Sequence, residues 1–126
     1  MSQATDSSAV PLAIAVLTVS DTRSEADDTS GQFLQDALEQ AGHHTVSRRI
    51  AIDDIYQIRA VLSAWIADAA VDAVLVTGGT GFSGRDSTPE AVRPLFDKDI
   101  DGFGEVFRGL SYQEIGSSTV QSRALA

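Results

Sequence analysis

The chain contains no cysteine, and that one absence removes disulfide frameworks, thiolate zinc sites, iron–sulfur clusters and thiol nucleophiles. Basic residues are scarce: nine Lys and Arg stand against 18 Asp and Glu, for a net charge of -9. They form no run, so no field steers a polynucleotide or an anionic membrane to this surface, and neither partner is expected. An anionic small molecule is not excluded, because backbone N–H groups, single arginines and a bound cation hold phosphate locally. Long apolar runs are also missing. The longest, Pro11 to Val19, falls far short of the roughly 20 residues a membrane helix needs. The first nine residues lack the basic start and apolar centre of a secretory signal. They predict a flexible N-terminus, residues 1–9, on a cytoplasmic protein.

What remains suits one compact domain over residues 10–126, with 43% hydrophobic and 21% charged side chains in 126 residues. Leu12 to Val19 is continuously apolar and rich in β-branched residues, the pattern of a parallel strand covered by helices on both faces. Past a polar loop, Phe33, Leu34, Ala37, Leu38 and Ala41 recur at helical spacing, and Gly42 is placed to end that helix. His43 to Ile52 reads as a second strand. A second helix follows, with an inward stripe of Ile55, Ile58, Leu62, Trp65, Ile66 and Ala69. Val71 to Thr77 repeats the apolar strand pattern and runs into Gly78-Gly-Thr-Gly-Phe-Ser-Gly-Arg-Asp86. Ser87-Thr-Pro-Glu90 then offers a helix start in which Ser87 caps and Glu90 answers the cap. Phe103, Val106, Phe107 and Leu110 mark a further amphipathic helix.

Alternating strands and helices predict an α/β fold, a single open, mostly parallel sheet with helices on both faces. Ligands of such sheets sit outside the carboxyl ends of the strands. Three loops fall there: Thr18 to Asp21 with Asp27 to Gly31, then Asp53-Asp54, and then Thr77 to Asp86. The glycines at 78, 79, 81 and 84 leave backbone N–H groups uncovered and let a phosphate approach closely. The bland alternative is an irregular turn before a helix. Gly79 to Gly84 matches the dinucleotide pattern G-x-G-x-x-G only weakly, because five residues intervene before a helix can form and no acidic strand end follows at the right distance. No Gly-Lys-Ser or Gly-Lys-Thr occurs, so a Walker loop is excluded.

Asp86 beside this loop can hold a hard cation against phosphate oxygens, or serve as a cap. Asp53 faces the same end of the sheet. Asp54 is its rival, and either can cap the second helix. Thr18, Ser20 and Asp21 close the first strand, while Ser30 and Gly31 open a helix whose free N–H groups suit an anion or a polar ring. The competing reading is a solvated loop with Thr29 or Ser30 as cap. His43 and His44 point to opposite faces of a strand and are poor joint metal ligands.

Thr18-Val-Ser-Asp21, Asp28-Thr-Ser-Gly31, Thr77-Gly-Gly-Thr-Gly81 with Asp86 and Thr88-Pro-Glu90, and Gly102-Phe-Gly-Glu105 together resemble the MoaB/Mog family of molybdenum cofactor biosynthesis. Gly102 to Arg108 and Gly116 to Ala124 resemble its protein B branch more than the Mog, plant or gephyrin branches. The resemblance implies a molybdopterin-binding domain that assembles into trimers or hexamers. It implies Mg²⁺-dependent transfer of AMP from ATP to the terminal phosphate of molybdopterin, or, alternatively, a non-catalytic molybdopterin-binding accessory protein. Asp86 and Asp53 match the family's acidic positions, with catalytic and metal-holding roles. Substrate contacts are implied at Thr18, Ser20, Asp21, Ser30, Gly31, Thr77, Gly78, Gly79, Thr80, Gly81 and Ser117. Family members continue past Ala126 with a further strand and helix, which this sequence is expected to lack.

Overall fold

The computed structural model describes residues 10–22, 24–78 and 87–96. Within them three strands alternate with three helices: β1 (Ala13–Val19), α1 (Thr29–Gln40), β2 (His44–Ala51), α2 (Ile55–Ile66), β3 (Ala73–Thr77) and α3 (Thr88–Val92). Short 3-10 turns precede α1 at Glu25–Asp27 and follow α3 at Arg93–Leu95. The sheet is parallel throughout, in the order β2-β1-β3. The expected N-terminal flexibility and the helix near Phe103 lie outside the described residues.

The central strand explains its own composition. Ala15, Leu17 and Val19 pack with Ile58, Leu62 and Trp65 of α2 and Ala91 of α3. Ile14 and Val16, on the other face, pack with Leu38 and Leu34 of α1. Both faces of β1 are therefore covered, and a continuous apolar run is what such a strand needs. β3 has a similar run but pairs on one side only among the described residues, and Leu75 stays 37% exposed. α1 and α2 lie on opposite faces because their crossovers run in opposite directions along the sheet, α1 from β1 to β2 and α2 from β2 back past β1 to β3; right-handed connections then demand opposite faces.

Two helix stripes differ from expectation. Phe33 is 71% exposed, and α1 turns Gly31, Leu34 and Leu38 inward instead. The run Phe33, Leu34, Ala37, Leu38 contains two overlapping stripes, and the one formed by Leu34 and Leu38 takes the core against Ile14 and Val16. In α2 the stripe of Ile58, Leu62 and Trp65 is buried, whereas Ile66 is 61% exposed and Ala69 lies past the helix end. Gly42 does follow α1, in a positive-φ conformation of +94°.

β2 carries an irregularity. Ile14 pairs with Thr45 and Ala15 with Ser47, so Val46 is an extra residue without a partner on β1. Such a bulge locally increases twist and shifts which side chains face which layer.

Candidate functional site

The strand order reverses at β1, so the crevice between the carboxyl ends of β1 and β3 is the place where an open α/β sheet receives a ligand. Val19, Ser20 and Asp21 arrive there from β1, and Thr77 and Gly78 from β3. Gly78 has a φ of +97°, and any Cβ on it would run into the carbonyl oxygen of Val19. Only glycine lets the two strand ends come this close. The carbonyl of Gly78 accepts the Thr88 hydroxyl at 2.7 Å. Residues 78 and 88 thus form the two stems of the glycine-rich segment, and Thr88 is 6% exposed.

Asp53 joins this place from β2. Its carboxylate Oδ1 accepts the backbone N–H of Ser87 at 2.9 Å, and its own N–H donates to Asp21 Oδ1 at 2.9 Å. One aspartate therefore ties together the loops after β1 and β2 and the residue that leads into α3. Asp53 is 9% exposed. No Lys, Arg or His forms an ion pair with it among the described residues. Asp54 has a different job: its Oδ2 accepts the N–H groups of Tyr56 and Gln57 and caps α2. The two adjacent acids are thereby separated, Asp54 as the helix cap and Asp53 as the group turned toward Ser87.

The expected cap at Ser87 is not formed by its side chain. The residue instead gives its N–H to Asp53, and its carbonyl accepts Ala91 N–H in the first turn of α3. Arg59 of α2 fastens the other end of α3, donating from Nε to the Ala91 carbonyl and from a terminal nitrogen to the Glu90 carbonyl, both at 3.0 Å.

A second acidic centre lies on the α1 face. Asp28, not Thr29 or Ser30, caps α1: its Oδ1 accepts Gly31 N–H at 2.9 Å. Oδ2 accepts the Thr18 hydroxyl at 2.9 Å and Arg48 at 3.2 Å, and the same guanidinium donates to the Asp28 carbonyl. Arg48 also reaches the side-chain oxygens of Gln32 and Gln35. A Cβ at Gly31 would collide with the Asp28 carboxylate, which accounts for glycine there. Burial alone would raise the Asp28 carboxyl, but the Gly31 amide, the Thr18 hydroxyl and the Arg48 guanidinium together outweigh it and hold the group below its ordinary value.

The candidate residues therefore divide. Ser20, Asp21, Asp53, Thr77 and Gly78 gather at the β1/β3 end of the sheet, where Ser20 also extends strand pairing through its N–H to the Ala51 carbonyl. Thr18 and Gly31 belong to the Asp28 cluster, and Ser30 is exposed on the first turn of α1. Asp86, Gly79, Thr80, Gly81 and Ser117 lie outside the described residues. His43 uses Nδ1 to accept the Leu12 N–H, and His44 is exposed. Arg48 was not singled out from the sequence, and Thr88 entered only within the Thr88-Pro-Glu90 motif. A pair of arginines in a strand between two helices was a usable signal, since alternation must turn one of them onto a helix. No helix among the described residues is long and apolar enough to cross a membrane.

Comparison with known proteins agrees with this fold. Residues 15–125 match the model of a family described as a probable molybdopterin binding domain. The chain is 56% identical over 117 residues to molybdenum cofactor biosynthesis protein B of Escherichia coli K12, covering 93% of this chain and 69% of that protein. It is 48% identical over 112 residues to the Bacillus subtilis protein of the same name, covering 88% and 66%. It therefore spans about two thirds of the length of these curated relatives. A crystal structure of molybdenum cofactor biosynthesis protein B superimposes with a TM-score of 0.88 at 47% identity, over 92% of this chain and 73% of that one. The chain belongs to the MoaB/Mog family of molybdopterin-binding domains.

Proposed function

We propose that this domain serves molybdenum cofactor biosynthesis by transferring AMP from ATP to the terminal phosphate of molybdopterin. An oxygen of that phosphate attacks the α-phosphorus of ATP, the bond from the α-phosphorus to the bridging oxygen breaks, and pyrophosphate departs. Little covalent help is required; alignment of the two phosphates and neutralisation of their charge supply most of the rate.

The observation that carries this reading is Asp53, a carboxylate with no cationic partner among the described residues, fixed by the Ser87 and Asp21 hydrogen bonds at the topological switch point. A lone acid next to phosphate would repel it unless a cation intervened. What suits Mg²⁺ here is the hard carboxylate oxygen of Asp53, fixed in place by its hydrogen bond to Ser87. Mg²⁺ commonly takes one or two carboxylates and completes its shell with phosphates and water. Asp53, together with Asp86, would hold it, and when bound it supplies charge neutralisation to the phosphates. Ser20 and Gly78 line the crevice that receives them, and Thr88 holds the Gly78 stem. The reading also includes a cytoplasmic homo-oligomer, trimer or hexamer.

The test is pyrophosphate release from ATP with Mg²⁺ and molybdopterin, measured for the 126-residue chain beside a form extended by the remaining third of its relatives. Release that requires molybdopterin is expected. Molybdopterin binding without release from either form would replace the transferase with the non-catalytic carrier.

A further inference from the structure

Asp21 combines exposure with an inward hydrogen bond. It lies in the loop after β1, its residue is exposed, and yet its Oδ1 reaches back 2.9 Å to the backbone N–H of Asp53. An acid on the rim of a phosphate site reads at first as a ligand for metal or substrate. The geometry points to another role. Asp53 sits between the end of β2 at Ala51 and the Asp54 cap of α2, a stretch where the backbone leaves the sheet and has not yet entered the helix. Its N–H has no strand or helix partner, and the Asp21 carboxylate satisfies it. On its far side Asp53 holds the Ser87 N–H at 2.9 Å. The three residues form a relay from the β1 loop through the β2 loop to the start of α3.

We infer that Asp21 is a positioning residue: by accepting the Asp53 N–H it fixes the backbone from which the Asp53 carboxylate projects, and so sets that carboxylate against Ser87 and the ligand crevice. This rests on the assignment of Asp53 to the adenylyl-transfer site. What the relay needs from Asp21 is an acceptor oxygen and not a charge, because its partner is a neutral amide. Ligation of a cation or repulsion of a misplaced phosphate would need the charge. An asparagine keeps the acceptor and loses the charge, which separates the two roles.

The experiment compares Asp21→Ala and Asp21→Asn in two ways. The first reads amide hydrogen exchange by NMR at Asp53 and Ser87, with no substrate present. Asp21→Ala is expected to speed exchange at both amides, and Asp21→Asn to bring it back toward the parent rate. The second reads pyrophosphate release. Asp21→Ala is expected to lower kcat by roughly 10- to 100-fold, the range seen when a group that orients a ligating residue is removed, with KM for ATP little changed, and Asp21→Asn to restore most of the loss. Equal damage by both substitutions would make the charge essential and overturn the positioning role. So would unchanged exchange at Ser87 in Asp21→Ala, because the Asp53 carboxylate would then be set without Asp21. If the parent chain releases no pyrophosphate, the transferase reading fails by itself, and the exchange comparison still decides whether Asp21 fixes Asp53.

Discussion

Asp28 and Asp53 are both buried aspartates near the carboxyl ends of parallel strands, and they are held in opposite ways. Asp28 is saturated: the Gly31 amide occupies one oxygen, Thr18 and Arg48 share the other, and the guanidinium neutralises the charge. Asp53 accepts one backbone N–H and has no ion-pair partner among the described residues. Saturation marks an acid that holds the fold together, since a ligand would have to displace Arg48 to reach it. On the proposed function, the fixed Asp53 carboxylate takes its counter-charge from a bound cation. Proximity to the site is thus a poor guide to role, and the partner list is a better one.

The largest effect that sharpens this contrast belongs to Asp53→Asn. The amide oxygen can still accept Ser87 N–H, so the fold is retained by circular dichroism, while pyrophosphate release falls by on the order of 10²- to 10³-fold, as for loss of one pre-placed electrostatic group. Near-parental turnover would erase the functional half of the comparison. Asp28→Asn reverses the pattern. It leaves Arg48 partly buried beside a neutral amide and costs about 3 kcal/mol of stability in urea unfolding, with little change in turnover per folded molecule.

The pH dependence of stability follows from the same cluster. Asp28 has a folded value below its ordinary 3.8, so its contribution is fully present above that value and is lost as pH falls through the lower folded one. Acid titration of the unfolding free energy should show this loss in the parent and a flatter acid limb in Asp28→Asn. The smallest effect is at Asp54→Ala, which removes the α2 cap and costs about 1 kcal/mol. A loss of activity in that variant as large as in Asp53→Asn would undo the separation of the two neighbours.

The layered fold was readable because the apolar runs of β1 and β3 and the stripes Ile58, Leu62, Trp65 follow periods set by burial. Phe33 was misread because a five-residue apolar cluster fits two stripes, and nothing in the sequence ranks them. The gathering of Ser20, Asp21, Asp53, Thr77 and Gly78 at one end of the sheet was readable from the strand alternation. The split between Asp53 and Asp54 was not: the residues are adjacent, identical in type and both able to cap, and only the turn of the backbone decides which one faces Ser87. Asp28 was visible as part of a motif, but its central role depends on Arg48, 20 residues away. Hydrogen bonds between side chains so far apart leave no local periodicity to detect.

The extra residue Val46 in β2 acts as a phase shifter. Thr45 pairs with Ile14, and Arg48 pairs with Val16, so both lie on the α1 face although they are three positions apart. Strict alternation from Thr45 would send Arg48 to the opposite face, among Leu17, Ile58 and Trp65. Ironing the bulge flat with Val46 kept in the ladder would therefore exchange the wiring of the two layers, setting a guanidinium in the apolar one and leaving Asp28 without its counter-charge, whereas deleting Val46 would keep Ser47 opposite Ala15 and Arg48 opposite Val16.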